Sequence, residues 1–198
     1  MDVRVTAKAA TADEARRAVD EMDARAREIL GTHVFGVDAE TPQSVALKML
    51  IERGLTLGTM ESCTGGLLAS LITDVPGSSN AFRGGLVSYA TELKEQWGVP
   101  ADIVAAHGVI SVETARAMAI AARAQLGTDI GIGITGVAGP DPQEDQPVGT
   151  VHIAVASAER SSDTSQRFRG VRAEIKWRAA NTALNLLRLH LLRQTQAM

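Results

Sequence analysis

The chain has 198 residues, 45% of them hydrophobic and 22% charged, and a formal net charge of −3. That length carries one sizeable core. The charge gives no pull toward nucleic acid or an anionic membrane, and 3% aromatics are too few for a base-stacking platform. Cys63 is the single cysteine, which excludes an intrachain disulfide and a cysteine-rich zinc site.

The opening stretch MDVRVTAKAATADEARR is charged and lacks the apolar run of a secretory signal, and nothing further on approaches bilayer length. A cytoplasmic protein is the default expectation. VRVTAKA alternates as an edge strand does, TADEARRAVDEMDARAREIL has helical periodicity, and THVFGV after Gly31 reads as a second short strand. This β-α-β piece, residues 1–38, is too small to bury a good core alone and is expected to pack on the main body or on a second copy of itself.

The main body is expected over residues 39–198. Thr41 as N-cap and Pro42 at the first helical position start a helix that Gly54 ends. LTLGTM is a strand, GGLLASLITDV a short helix closed by Pro76-Gly77, and GGLVSYA a second strand. Thr91 then stands as N-cap of TELKEQW, and Ser111 caps an Ala-rich helix that runs to Gly127. DIGIGITG, VGTVHIAVAS and a segment around TSQRFRG are three further strands, and a long helix begins near Arg172. Alternating strands and helices predict an α/β sandwich with a largely parallel sheet. Two consecutive late strands predict one antiparallel member.

Three strand ends carry polar or glycine-rich turns, ESCTGG, SYATELK and TGVAGPDPQEDQP, and sites in open α/β sheets form at such ends. In ESCTGG the plain reading makes Thr64 a helix cap. The functional reading leaves N–H groups of Gly65 and Gly66 bare at a positive helix end, with Ser62 just ahead as a nucleophile. A serine needs a base. None of the four histidines, His33, His107, His152 and His190, falls on a predicted strand-end turn, so a Ser-His-Asp triad is disfavoured. Lys94 falls in the first turn of its helix, where a cation opposes the macrodipole and its pKa should drop. Tyr89, the only tyrosine, is placed to relay a proton or orient the pair; the plain alternative is a solvated surface lysine.

The long third turn could wrap a substrate or simply run over the surface. Its Asp141, Glu144 and Asp145 have no histidine or cysteine company, which disfavours a metal site, and no G-x-G-x-x-G or Walker motif is present. Basic residues gather late, at Arg160, Arg167, Arg169, Arg172, Lys176 and Arg178; most read as a solvated strand-and-helix face, one or two could hold a phosphate, and Arg172 is best placed.

The segments ESCTGGLLASLITDVPGSS, GGLVSYATELKEQWGVP, HGVISVETARAMA and TGVAGPDPQEDQPVGTV, in this order and spacing, resemble the CinA C-terminal domain and nicotinamide mononucleotide (NMN) amidohydrolase family that includes PncC. The resemblance runs from about Thr41 to the C-terminus, and the earlier segment is similar to the end of the KH-like linker domain that precedes the amidase domain in full-length CinA proteins. It implies a three-layer α/β/α sandwich with a mixed, mostly parallel sheet, a homo-oligomer, and a metal-independent serine amidohydrolase without cofactor that converts NMN to nicotinate mononucleotide and ammonia. Carried over, Ser62 is the nucleophile, with Tyr89 and Lys94 completing the catalytic set. Thr64, Gly65 and Gly66 shape the pocket, Thr135 and Gly136 line it, and Arg172 lies near the substrate. Two positions depart from the family: Gln146 stands where a lysine is frequent and Lys176 where an arginine is. They motivate a second reading, a non-catalytic binding or assembly module of a competence- and damage-associated protein. Nucleic-acid binding through the KH-like remnant is disfavoured, since the segment lacks a GXXG loop.

Overall fold

The computed structural model describes residues 3–194. The chain divides into two units, one up to Val37 and one from Asp38 onward.

The first unit is built on helix α1 (Ala12–Leu30), opened by a capping box in which the Thr11 hydroxyl accepts the Glu14 N–H and the Glu14 carboxylate accepts the Thr11 N–H. Gly31–His33 add a single 3-10 turn. The two strands expected on either side of α1 are not formed: 3–9 and 34–37 have no regular structure. Alternation makes a segment compatible with a strand, but a strand exists only where a neighbour completes its hydrogen-bond ladder, and no ladder forms among the described residues of this unit. Among its described residues the appendage is therefore a helix with irregular flanks rather than β-α-β.

The second unit begins with α2 (Pro42–Glu52), where Thr41 is the N-cap and Pro42 the first helical residue, as expected. It continues through β1 (Leu57–Glu61), α3 (Leu67–Thr73), β2 (Phe82–Val87), α4 (Thr91–Gln96), α5 (Ala101–His107) and α6 (Val112–Leu126). β3 (Ile130–Gly136), β4 (Thr150–Ala156), β5 (Ser161–Arg167) and α7 (Arg172–Gln194) complete it. The sheet order is β2-β1-β3-β4-β5, with β1 parallel to both β2 and β3 and with antiparallel β3–β4 and β4–β5 pairs. Four strands thus run one way and β4 alone the other, the mixed α/β sheet that the two late strands predict.

Period-two alternation assigns the faces. Ile130, Ile132 and Ile134 of β3, with Val151, Ile153 and Val155 of β4, join the core shared with α2, α3 and α7. Each such fully buried aliphatic side chain is worth about 1.5–3 kcal/mol relative to exposure. On the other face Gly131 and Gly133 lie directly under α6: an added Cβ at Gly133 would sit 2.1 Å from the Ala115 carbonyl oxygen and 2.6 Å from the Ala119 nitrogen. The same face of β4 presents Ala154 and Ala156 to Ala115 and Ala119. Small residues on both sides let helix backbone rest on strand backbone, which explains a strand spelled with alternating glycines. Among the described residues no helix is long and apolar enough to cross a membrane.

Candidate active site

Strand β1 delivers two consecutive side chains to opposite tasks. Glu61, its last residue, is 1% exposed, and its carboxylate accepts the N–H groups of Gly66 (3.1 Å), Leu68 (3.0 Å) and Ala69 (2.8 Å). A carboxylate on three donors at a helix N-terminus is held both by charge-assisted hydrogen bonds and by the dipole. Glu61 therefore caps α3 from across the turn. Thr64 does not: the N-cap is Gly66, and the Thr64 hydroxyl is buried without a partner. The expected bare donors are also occupied, since the Gly65 N–H goes to the Ser62 carbonyl and the Gly66 N–H to Glu61. Thr64, Gly65 and Gly66 thus shape the turn that presents Ser62, and none of them lines the cleft beside it.

Ser62 follows directly, anchored by its N–H on the Ile134 carbonyl of β3. Its hydroxyl meets Lys94, whose Nζ lies 3.2 Å from Ser62 Oγ and 2.8 Å from the Ser88 carbonyl oxygen. Lys94 is 1% exposed and makes no ion pair among the described residues. Burial lowers its pKa below the ordinary 10.5, and the nearby Glu144 and Glu92 carboxylates oppose that shift only in part. Its helix is capped by Ala90, with Thr91 already helical, so desolvation rather than an N-terminal dipole is the leading cause. A buried lysine donating to one carbonyl and facing one hydroxyl can reach the neutral amine that a general base requires.

Cys63 also borders the cleft, but burial pushes its thiol up to about 12, far from the thiolate a nucleophile needs. None of the histidines lines the cleft. His190 is fully buried in α7, its Nδ1 3.0 Å from the Ser162 hydroxyl and its pKa brought down to about 4 by burial.

The cleft holds about 190 Å³ and opens at the carboxyl ends of β1, β2 and β3. Thr135 and Gly136 line it, and the Thr135 hydroxyl donates to the Val109 carbonyl at 2.6 Å, fixing the α5–α6 turn against β3. At the mouth the Arg172 guanidinium donates to the Tyr89 hydroxyl (2.6 Å) and to the Gly139 carbonyl (2.6 Å). Tyr89 lines the same cleft, is 58% exposed and accepts from Arg172, and among the described residues no hydrogen bond joins it to Ser62 or Lys94. Gln146 and Lys176, the two departures from the family pattern, do not line the cleft. Among the described residues no cluster of His, Cys, Asp and Glu is arranged to hold a metal.

A three-layer α/β domain with a serine–lysine pair at the carboxyl end of its sheet is the class these features define. The family model of the CinA C-terminal domain matches residues 39–191, and the chain belongs to that family. It is 46% identical to a CinA-like protein of Frankia casuarinae over 187 residues, 94% of this chain and 43% of that protein. The chain thus spans less than half the length of that relative. Among solved structures it is similar to a competence-damaged protein (CinA) superfamily protein from Klebsiella pneumoniae, with TM-score 0.74, 30% identity, 78% of this chain and 99% of that chain. A superfamily member from Enterobacter cloacae has TM-score 0.73 and 29% identity, covering 80% of this chain and 96% of its own.

Proposed function

We propose that this chain is a serine amidohydrolase that deamidates NMN. The observation that carries the reading is the buried Lys94 amine at hydrogen-bond distance from Ser62, in a cleft with no histidine base. In the first step Lys94 takes the Ser62 proton as Oγ bonds to the carboxamide carbon. The Cys63 N–H, one residue past the nucleophile in the lining of the cleft, is the donor assigned here to the developing oxyanion. The C–N bond breaks with the proton returned from the lysine, releasing ammonia. Water then cleaves the ester, its proton passing to Lys94 and from there to Ser62, and leaves nicotinate mononucleotide.

A cleft of about 190 Å³ is below the usual range of roughly 300–1,000 Å³ for whole ligands. It suits a pyridine ring and its amide, with the ribose phosphate at the mouth beside Arg172. The resemblance of the motif set supports this substrate, and both family departures fall outside the cleft, which favours catalysis over a purely structural module. The test is ammonia release from NMN by the purified chain. Turnover is expected in the wild type and in Cys63→Ala, and loss of at least about 10³-fold in Ser62→Ala. NMN binding by calorimetry without turnover in the wild type would favour the module reading instead.

A further inference from the structure

The loop after β3 carries a conformation that its sequence does not favour. Glu144 and Asp145 both have positive φ, 50° and 59°. Gln143 and Gln146 exchange both backbone hydrogen bonds around them, at 3.2 and 2.8 Å. Two central residues with positive φ between a bonded pair make the hairpin turn that Asn-Gly prefers, and side chains such as Glu and Asp adopt it at a cost. A strained turn of this kind persists where outside contacts fix it.

Glu144 supplies such a contact. One of its carboxylate oxygens accepts the N–H of Val109 at 2.9 Å and that of Ile110 at 3.2 Å, in the turn between α5 and α6. The same oxygen would lie 2.7 Å from a Cβ at position 108, where φ is 77°, so glycine leaves room for the carboxylate at a backbone conformation that suits it. The Val109 peptide is gripped on both sides, its N–H by Glu144 and its carbonyl by Thr135. Both halves of this junction border the cleft, Val109 and Ile110 from the turn, Gly139, Asp141 and Gln143 from the loop.

We propose that Glu144 is a positioning residue of this site: its carboxylate pins the loop after β3 to the α5–α6 turn and so sets the outer wall of the Ser62–Lys94 cleft. The consequence for catalysis rests on the amidohydrolase reading given above. Glu144 also faces Lys94 electrostatically, together with Glu92 from α4, and favours the protonated amine, while Cys63 after β1 stays a neutral thiol in the range where Lys94 titrates.

Two independent measurements on Glu144→Ala and Glu144→Gln in the full chain test this. In Glu144→Ala, amide hydrogen exchange at Val109 and Ile110 should rise roughly tenfold or more, since each loses a charged acceptor. KM for NMN should rise roughly tenfold with a smaller change in kcat, the signature of a misplaced binding wall. The acid limb of kcat/KM should move to lower pH in both variants, because a negative charge favouring protonated Lys94 is gone. Glu144→Gln keeps an acceptor oxygen and should preserve most of the KM while showing the same pH displacement, a split that a merely structural side chain would not produce. Wild-type exchange rates at Val109 and Ile110 in Glu144→Ala would overturn the clamp. Altered exchange with KM and pH profile unchanged would overturn the positioning role. If the wild type releases no ammonia from NMN, the deamidase reading fails, while the exchange data still decide the clamp.

Discussion

Lys94→Met and Lys94→Arg are both expected to lose roughly 10²–10⁴-fold in kcat/KM for NMN, the usual range for removing a general base. The pairing of the two variants decides how the lysine acts. Methionine fills the same buried space without a proton acceptor. Arginine retains the positive charge but stays protonated at any working pH. A lysine that served only as a fixed charge would be replaced by arginine with modest loss, whereas a base would not. In the wild type, activity should fall as pH drops through the Lys94 pKa, which burial places below 10.5. The linkage has a definite sign. Between the lowered folded-state pKa and 10.5 the unfolded chain holds one more proton on this residue than the folded chain. Stability from this residue therefore rises with pH in that window, and its cost is fully present below it. Lys94→Met removes that pH dependence, and the circular dichroism spectrum should be unchanged.

The second large effect is on the fold. Gly133→Ala should cost at least about 3 kcal/mol of stability, a substantial share of the roughly 5–15 kcal/mol that holds a domain together. Its Cβ would meet the Ala115 carbonyl oxygen at 2.1 Å, the Ala119 nitrogen at 2.6 Å and the Met118 Cβ at 2.8 Å. Two of these atoms are helix backbone, so no rotamer change relieves the clash; α6 must lift from the sheet it covers. Gly54→Ala is the control: nothing lies within 4 Å, and only the positive φ of 65° is strained, worth about 1–2 kcal/mol. Urea denaturation compares the two, and a Gly133→Ala midpoint no lower than that of Gly54→Ala would contradict close backbone packing of α6 on β3.

The local signals were legible in the sequence. Thr41-Pro42 starts α2 and Ser111 caps α6 because a cap acts within three residues of itself. The alternating glycines of IGIGITG also announced a strand, although not the helix resting on it. What escaped sequence reasoning acts at a distance. Glu61 reaches donors five to eight residues away through the turn after β1, a geometry that no spacing rule encodes, and it occupies the Gly66 donor expected to face substrate. The Tyr89–Arg172 bond joins residues 83 apart, a contact that spacing along the chain does not reveal. Lys94 stood out by its place in a helix turn, but its lowered pKa comes first from burial against Ser62 and the Ser88 carbonyl, at the ends of β1 and β2, rather than from a helix end. The alternating segments flanking α1 misled because alternation specifies faces, not partners.

The serine assignment is tested most directly by trapping the covalent intermediate. NMN is mixed with the chain, quenched in acid during turnover, and the digested protein is read by mass spectrometry. The account predicts a mass increase equal to NMN less ammonia on the peptide carrying Ser62, localised to that side chain and absent from Ser62→Ala. The same adduct on Cys63, or ammonia release from Ser62→Ala at the wild-type rate, would contradict it.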